Sequence, residues 1–170
     1  MAIRNILREG DPLLNKKCRQ IEDFNERLWT LLDDMKETLY KANGVGLAAP
    51  QVGVLRRAVI VLDTEVGPDE EEKIIELINP VIVRQEGEQT GPEGCLSIPG
   101  VYGVVTRPDT VTVRAFDRNG REFETTGVGL TARAFCHELD HLEGHLFSEL
   151  AERFLTNEEL EHYSGEEDKS

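Results

Sequence analysis

The stretch His137-Glu138-Leu139-Asp140-His141 constrains this chain more than any other. Two imidazoles four residues apart stack on one helical face, about one turn from each other, and can grip one metal ion without bending the backbone. Residues 130–143 are therefore predicted to be helical. Leu130, Ala134, Phe135, Leu139 and Leu142 give that helix an apolar face to bury, and Gly144 closes it. Glu138 borders the side that carries the imidazoles, where a carboxylate can act as general base on water at the metal instead of binding the metal itself.

A catalytic metal usually has three protein ligands and one open position, so a third donor must come from elsewhere. Downstream, Glu149, Glu152, Glu158, Glu159, Glu161 and His145 are candidates, as in a thermolysin-like endopeptidase. Upstream, residues 91–100, G-P-E-G-C-L-S-I-P-G, put Cys95 in a loop punctuated by Gly and Pro, where backbone can approach a metal closely. A lone cysteine is also common as core filler. Residues 44–51, G-V-G-L-A-A-P-Q, form a third landmark just past a helix end. Their small side chains suit an extended peptide pairing with the backbone, and equally a tight helix-to-strand connection.

Elsewhere the pattern is mixed. From Asp23, read as an N-cap, Leu28, Leu31, Leu32, Met35 and Leu39 form an amphipathic stripe that Asn43-Gly44 terminates. Residues 57–63 and 74–83 read as buried strands, the second interrupted by Pro80, with an acidic loop over residues 66–73 between them. Residues 110–117 and 122–127 flank Arg118-Asn119-Gly120 as a hairpin. Thr156-x-x-Glu159 is a capping box for a short helix, and residues 164–170 are too polar to hold structure by burial. Helices at the two ends and antiparallel strands between them predict an α+β fold. One catalytic domain over residues 1–155 is expected, followed by a short helix and a partly disordered acidic tail over residues 156–170.

The 19 basic and 33 acidic residues give a net charge of −14, which disfavours a broad grip on DNA or RNA phosphates. No apolar run approaches the roughly 18 residues that a membrane span needs, and the first residues lack a signal-peptide core. Cys18, Cys95 and Cys136 are odd in number and show no paired spacing, which suits a reducing compartment. A cytoplasmic protein without membrane or DNA partners is expected.

Taken together and in order, G-V-G-L-A-A-P-Q, E-G-C-L-S and H-E-L-D-H resemble the three signature motifs of the bacterial peptide deformylases, over about residues 3–150. The resemblance implies a metal-dependent amide hydrolase that removes the formyl group from formyl-methionine at the start of nascent polypeptides and releases formate. The alternative is a zinc endopeptidase of the H-E-x-x-H type. Carried over residue by residue, the resemblance implies Cys95, His137 and His141 as metal ligands and Glu138 as catalytic acid and base. It makes Gln51 and the Leu96 N–H the groups that polarise the substrate carbonyl. Val45, Gly46 and Leu47 would line the substrate cleft, and Leu130, Ala134 and His137 the methionine pocket. The implied cofactor is one divalent ion, Fe(II) natively, with Zn(II) or Ni(II) as substitutes. Glu93, Asp140 and Arg107 are candidates to orient the imidazoles.

Three departures stand out. Cys136 occupies the position before the first ligand histidine, where Gln is usual in the family, and points roughly 100° away from it. Gly91 and Arg133 replace apolar pocket residues. In well-known members a basic C-terminal helix docks transiently on the ribosome, whereas Glu158, Glu159, Glu161, Glu166, Glu167 and Asp168 make this end acidic, which disfavours that mode.

Overall fold

The computed structural model describes residues 2–64 and 73–167, with side chains to His162. Its elements are α1 (Glu26–Ala42), β1 (Gly46–Ala48), β2 (Ala58–Asp63), β3 (Lys73–Glu86), β4 (Gln89–Cys95), β5 (Ile98–Arg107), β6 (Thr110–Phe116), β7 (Glu122–Val128), α2 (Leu130–Leu142), β8 (Arg153–Phe154) and α3 (Asn157–Glu167). The strands pair antiparallel in a five-stranded sheet of order β1-β2-β3-β6-β7 and a three-stranded sheet of order β4-β5-β8. The chain is thus an α+β protein. The acidic loop expected over residues 66–73 lies outside the described residues, except for Lys73, which opens β3.

The large sheet lies between the two long helices. On β2, Val59 and Val61 face a core shared with Ala132, Phe135, Cys136 and Leu142 of α2. Ala58 and Ile60 face Leu28, Leu31, Leu32, Met35 and Leu39 of α1. Both faces are covered, which explains why A-V-I-V-L reads as an unbroken apolar run instead of an alternating one. Each fully buried Leu, Val or Phe contributes roughly 1.5–3 kcal/mol, so α2 is held by its apolar face while its other face is free to carry polar chemistry.

Several boundaries moved. The N-cap of α1 is Asn25, whose side chain accepts from the Leu28 N–H, and not Asp23. The predicted stop stands, with Asn43 left-handed at φ 56. Pro80 sits within β3 at a register shift between Ile78 and Val81, because it has no N–H for the ladder. The D-R-N-G turn closes β6 onto β7, with the Asp117 carboxylate accepting from the Asn119 and Arg121 N–H groups.

The largest difference is residues 91–100. They are not a loop but most of a hairpin, β4 paired with β5 and turning at Leu96-Ser97. Glycine and proline hide a strand whose pairing comes from its partner, and Pro92 is tolerated because β4 is an edge strand. The capping box opens α3, where Thr156 Oγ1 accepts from the Glu159 N–H. The helix continues to Glu167, into the stretch expected to lack structure, and residues 168–170 lie outside the described residues.

Candidate metal centre

Three elements converge on one end of α2. His137 and His141 project from the helix, Cys95 closes β4, and Gln51 comes from a 3-10 turn, Ala49–Val52, directly after β1. His141 Nε2 lies 3.2 Å from His137 Nε2 and 3.4 Å from Cys95 Sγ. Among the described residues, these three form the one group of His, Cys, Asp and Glu side chains able to share a metal ion, with all ligand atoms within 4.8 Å. Tetrahedral bonds of about 2.0–2.3 Å would separate neighbouring nitrogen and sulfur donors by roughly 3.3–3.6 Å, so the donor set fits a divalent cation in both chemistry and spacing.

None of the downstream candidates for the third ligand joins this group, and four of them, His145, Glu149, Glu152 and Glu159, are engaged elsewhere. His145 pairs with Glu149 on the surface, Thr106 donates to Glu152, and Arg153 pairs with Glu159. The other two cysteines are core residues. Cys18 and Cys136 are buried against the α2 core, and burial pushes each thiol up to about 11.

His137 is braced by a buried ion network. Its Nδ1 lies 2.8 Å from Glu93 Oε2. Glu93 also accepts from Arg107 Nε at 3.1 Å, from Arg107 Nη2 at 2.7 Å and from Arg133 Nη1 at 3.0 Å. Burial alone would raise the Glu93 pKa, but the hydrogen bonds from His137 and Arg107 outweigh it and hold the group at about 2. Glu93 and Arg107, at 5% and 6% exposure, are therefore structural charges. Asp140 touches neither imidazole and instead accepts from Arg107 Nη1. His141 Nδ1 is buried with no hydrogen-bond partner among the described residues, so the expected bracing of both rings exists for one. Burial opposes a proton on His137, but Glu138, Cys95 and Glu93 outweigh it and raise its pKa well above the ordinary value. Burial and the His137 charge hold His141 well below.

Glu138 is 3% exposed, and its Oε1 has no partner among the described residues. Burial pushes its pKa to about 7, where a carboxylate can both take and return a proton. A Cβ added at Gly46 would lie 2.5 Å from Glu138 Oε2, so only glycine leaves the carboxylate its place. Gln51 is fixed at both ends of its amide. Its Oε1 accepts from the Ala48 N–H at 2.9 Å, and its Nε2 donates to Ser97 Oγ at 3.1 Å and lies 3.6 Å from Cys95 Sγ. Ser97 carries no role in the sequence reading, although it stands inside the E-G-C-L-S motif.

These groups line a cleft of about 450 Å³. Val45, Gly46, Gln51, Cys95, Leu96, Leu130, Ala134, His137 and Glu138 are on its wall, as expected, and Arg133 and Tyr102 join them. Leu47 is not: it is fully buried against α1, because β1 alternates faces and Gly46 and Leu47 cannot point the same way. Among the described residues β1 is an edge strand paired with β2 alone, so its other edge can accept an extended peptide. The Leu96 side chain packs at Gly44 and Leu39, which anchors the turn after Cys95.

Residues 3–155 match the family model described as polypeptide deformylase. The chain is 56% identical over 161 residues to a peptide deformylase of Caldanaerobacter subterraneus subsp. tengcongensis, covering 95% of this chain and 97% of that protein. It is similar to the crystal structure of a peptide deformylase from Legionella pneumophila, with a TM-score of 0.80 and 46% identity over 92% of this chain and 88% of that one. It is also similar to a peptide deformylase from Acinetobacter baumannii solved with Met-Ala-Ser bound, with a TM-score of 0.80 and 33% identity over 87% of this chain and 98% of that one.

Proposed function

The chain belongs to the polypeptide deformylase family, and from that premise we propose how its residues remove formyl from formyl-methionyl peptides. It is a peptide deformylase, a metal-dependent amide hydrolase of protein biosynthesis, and not an H-E-x-x-H endopeptidase with a downstream ligand. The observation that carries the site assignment is the convergence of Cys95 Sγ with the two Nε2 atoms beside Glu138 and Gln51 in one cleft.

Cys95, His137 and His141 are the metal ligands. A bound divalent cation supplies Lewis acidity there and lowers the pKa of water at the site. One thiolate and two imidazoles suit iron or zinc alike, and the resemblance favours Fe(II) as the native ion, with Zn(II) or Ni(II) as substitutes.

Glu138 takes a proton as water adds to the formyl carbon. The oxyanion accepts hydrogen bonds from the Gln51 amide and the Leu96 N–H, each worth about 3 kcal/mol at such a site. As the C–N bond breaks, Glu138 returns the proton to the departing amine, leaving formate and a free amino terminus. The peptide runs beside β1, where Val45 and Gly46 meet it, and its methionine side chain enters the pocket bordered by Leu130, Ala134 and His137. Residues 1–155 suffice for this chemistry.

No helix among the described residues is long and apolar enough to cross a membrane, and the described cysteines are free, which supports a cytoplasmic location. Ribosome contact does not run through a basic α3, since Glu158, Glu159 and Glu161 stand there.

The test is formate release from formyl-Met-Ala-Ser by anaerobically purified protein, with metal content measured on the same sample. Glu138→Ala should keep the metal and lower the rate by about 10²- to 10⁴-fold. Unimpaired turnover in that variant would overturn the assigned role.

A further inference from the structure

The methionine pocket of this chain contains a charged donor. Arg133 lies one turn before His137 on α2, is 6% exposed and borders the cleft. Its Nη1 is fully engaged, donating to Glu93 Oε1 and to the Val105 carbonyl, both at 3.0 Å. Those two bonds pin the guanidinium plane. Its Nη2 and Nε have no hydrogen-bond partner among the described residues, and neither is sealed from solvent. On the β4 side, Gly91 offers no side chain to cover Nη2: a Cβ there would stand at an ordinary contact distance of 3.7 Å.

The charge is balanced, since Glu93 and Asp140 face Arg107 and Arg133, so the guanidinium does not require an anionic ligand. What it lacks is an acceptor. An N–H that loses its water when substrate fills the cleft and finds no acceptor costs free energy, and the neighbouring pocket residues Leu130 and Ala134 are apolar and provide none. A methionine side chain carries a single acceptor, its thioether sulfur, which is weak but gains from a charged donor.

We infer that Arg133 is a specificity residue, donating from its free N–H groups to the sulfur of the substrate methionine. The inference rests on the proposed deformylase site and names what that site recognises. A wholly apolar pocket would treat methionine and norleucine almost alike, because the two differ by sulfur against methylene. A pocket with a buried donor penalises norleucine by leaving the donor unpaired.

The measurement is kcat/KM for formyl-Met-Ala-Ser against formyl-norleucyl-Ala-Ser, together with inhibition by the two deformylated products. The ratio cancels the active fraction of any preparation. The native enzyme should favour methionine by about 3- to 10-fold in both readouts. Arg133→Met should bring both ratios to near unity. Gly91→Val, which covers Nη2 without touching the bonds to Glu93 and Val105, should lower them in the same direction and decides the matter if Arg133→Met does not fold. A native ratio near unity, or a ratio that neither variant moves, would overturn the inference. Absence of formate from both peptides would refute the catalytic roles proposed above, while direct binding of the two deformylated products, read by titration calorimetry, would still judge Arg133.

Discussion

The two walls of the metal centre are built on opposite principles. The α2 wall is buried and ionic, with His137 held by Glu93, which is itself held by two guanidinium groups. The β4–β5 wall lends that network Glu93 and Arg107, but it places its own ligand, Cys95, and the neighbouring Leu96 by strand register and by packing at Gly44. The helical wall depends on charges that neutralise one another, so losing one partner should cost most. The hairpin wall and its neighbour β1 depend on close backbone approach, so adding one carbon should cost most.

Replacing the hairpin's own ligand should have the largest effect. Cys95→Ala should abolish stoichiometric metal retention, read by elemental analysis, while far-UV circular dichroism stays unchanged. Full metal content in that variant would dissolve the distinction, since the helix alone would then suffice.

Next comes acid stability of the α2 wall. The folded pKa of Glu93, about 2, lies below its ordinary 4.5, so its contribution is present above pH 4.5 and is lost as pH falls towards 2. That contribution is on the order of 3 kcal/mol. Urea unfolding of the metal-free protein should therefore lose stability more steeply across this window than Glu93→Gln does. Parallel curves would show that the network is not a source of stability.

A smaller effect is expected where β1 meets α2. Gly46→Ala should lower kcat by about 10- to 100-fold, because the new methyl group displaces the Glu138 carboxylate. An unchanged kcat would mean that the carboxylate has room to spare. The smallest change should come from Ser97→Ala, which frees the Gln51 amide. A loss of about 1 kcal/mol corresponds to roughly 5-fold in kcat, with little change in KM. A pure KM effect would move Ser97 from positioning the amide to shaping the cleft.

How much was legible follows from the range of the forces involved. The α2 face was readable because an i, i+4 spacing places its groups by local geometry alone. The α1 stripe and the D-R-N-G turn were readable for the same reason. The β4 strand was not, since its partner β5 overrides the local preferences of Gly91, Pro92 and Gly94. That the Leu47 side chain turns into the core while Gly46 borders the cleft was not legible either, because a motif gives order along the chain and not the strand's orientation. Asp140 was linked to an imidazole by nearness in sequence, whereas Arg107, brought in from β5, captured it.

The sequence by itself determined the chemistry on offer: paired imidazoles with a carboxylate beside them, a cysteine and an amide in small-residue segments, and enough apolar surface for two layers. Helical spacing and hydrophobic period act over a few residues, so they survive without a structure. Only the tertiary structure decided which charges are buried, which imidazole is braced and which groups hold the Arg133 guanidinium. Those outcomes depend on water being excluded by segments brought together from different parts of the chain, and Arg133 reaches its partner Glu93 across 40 residues of sequence.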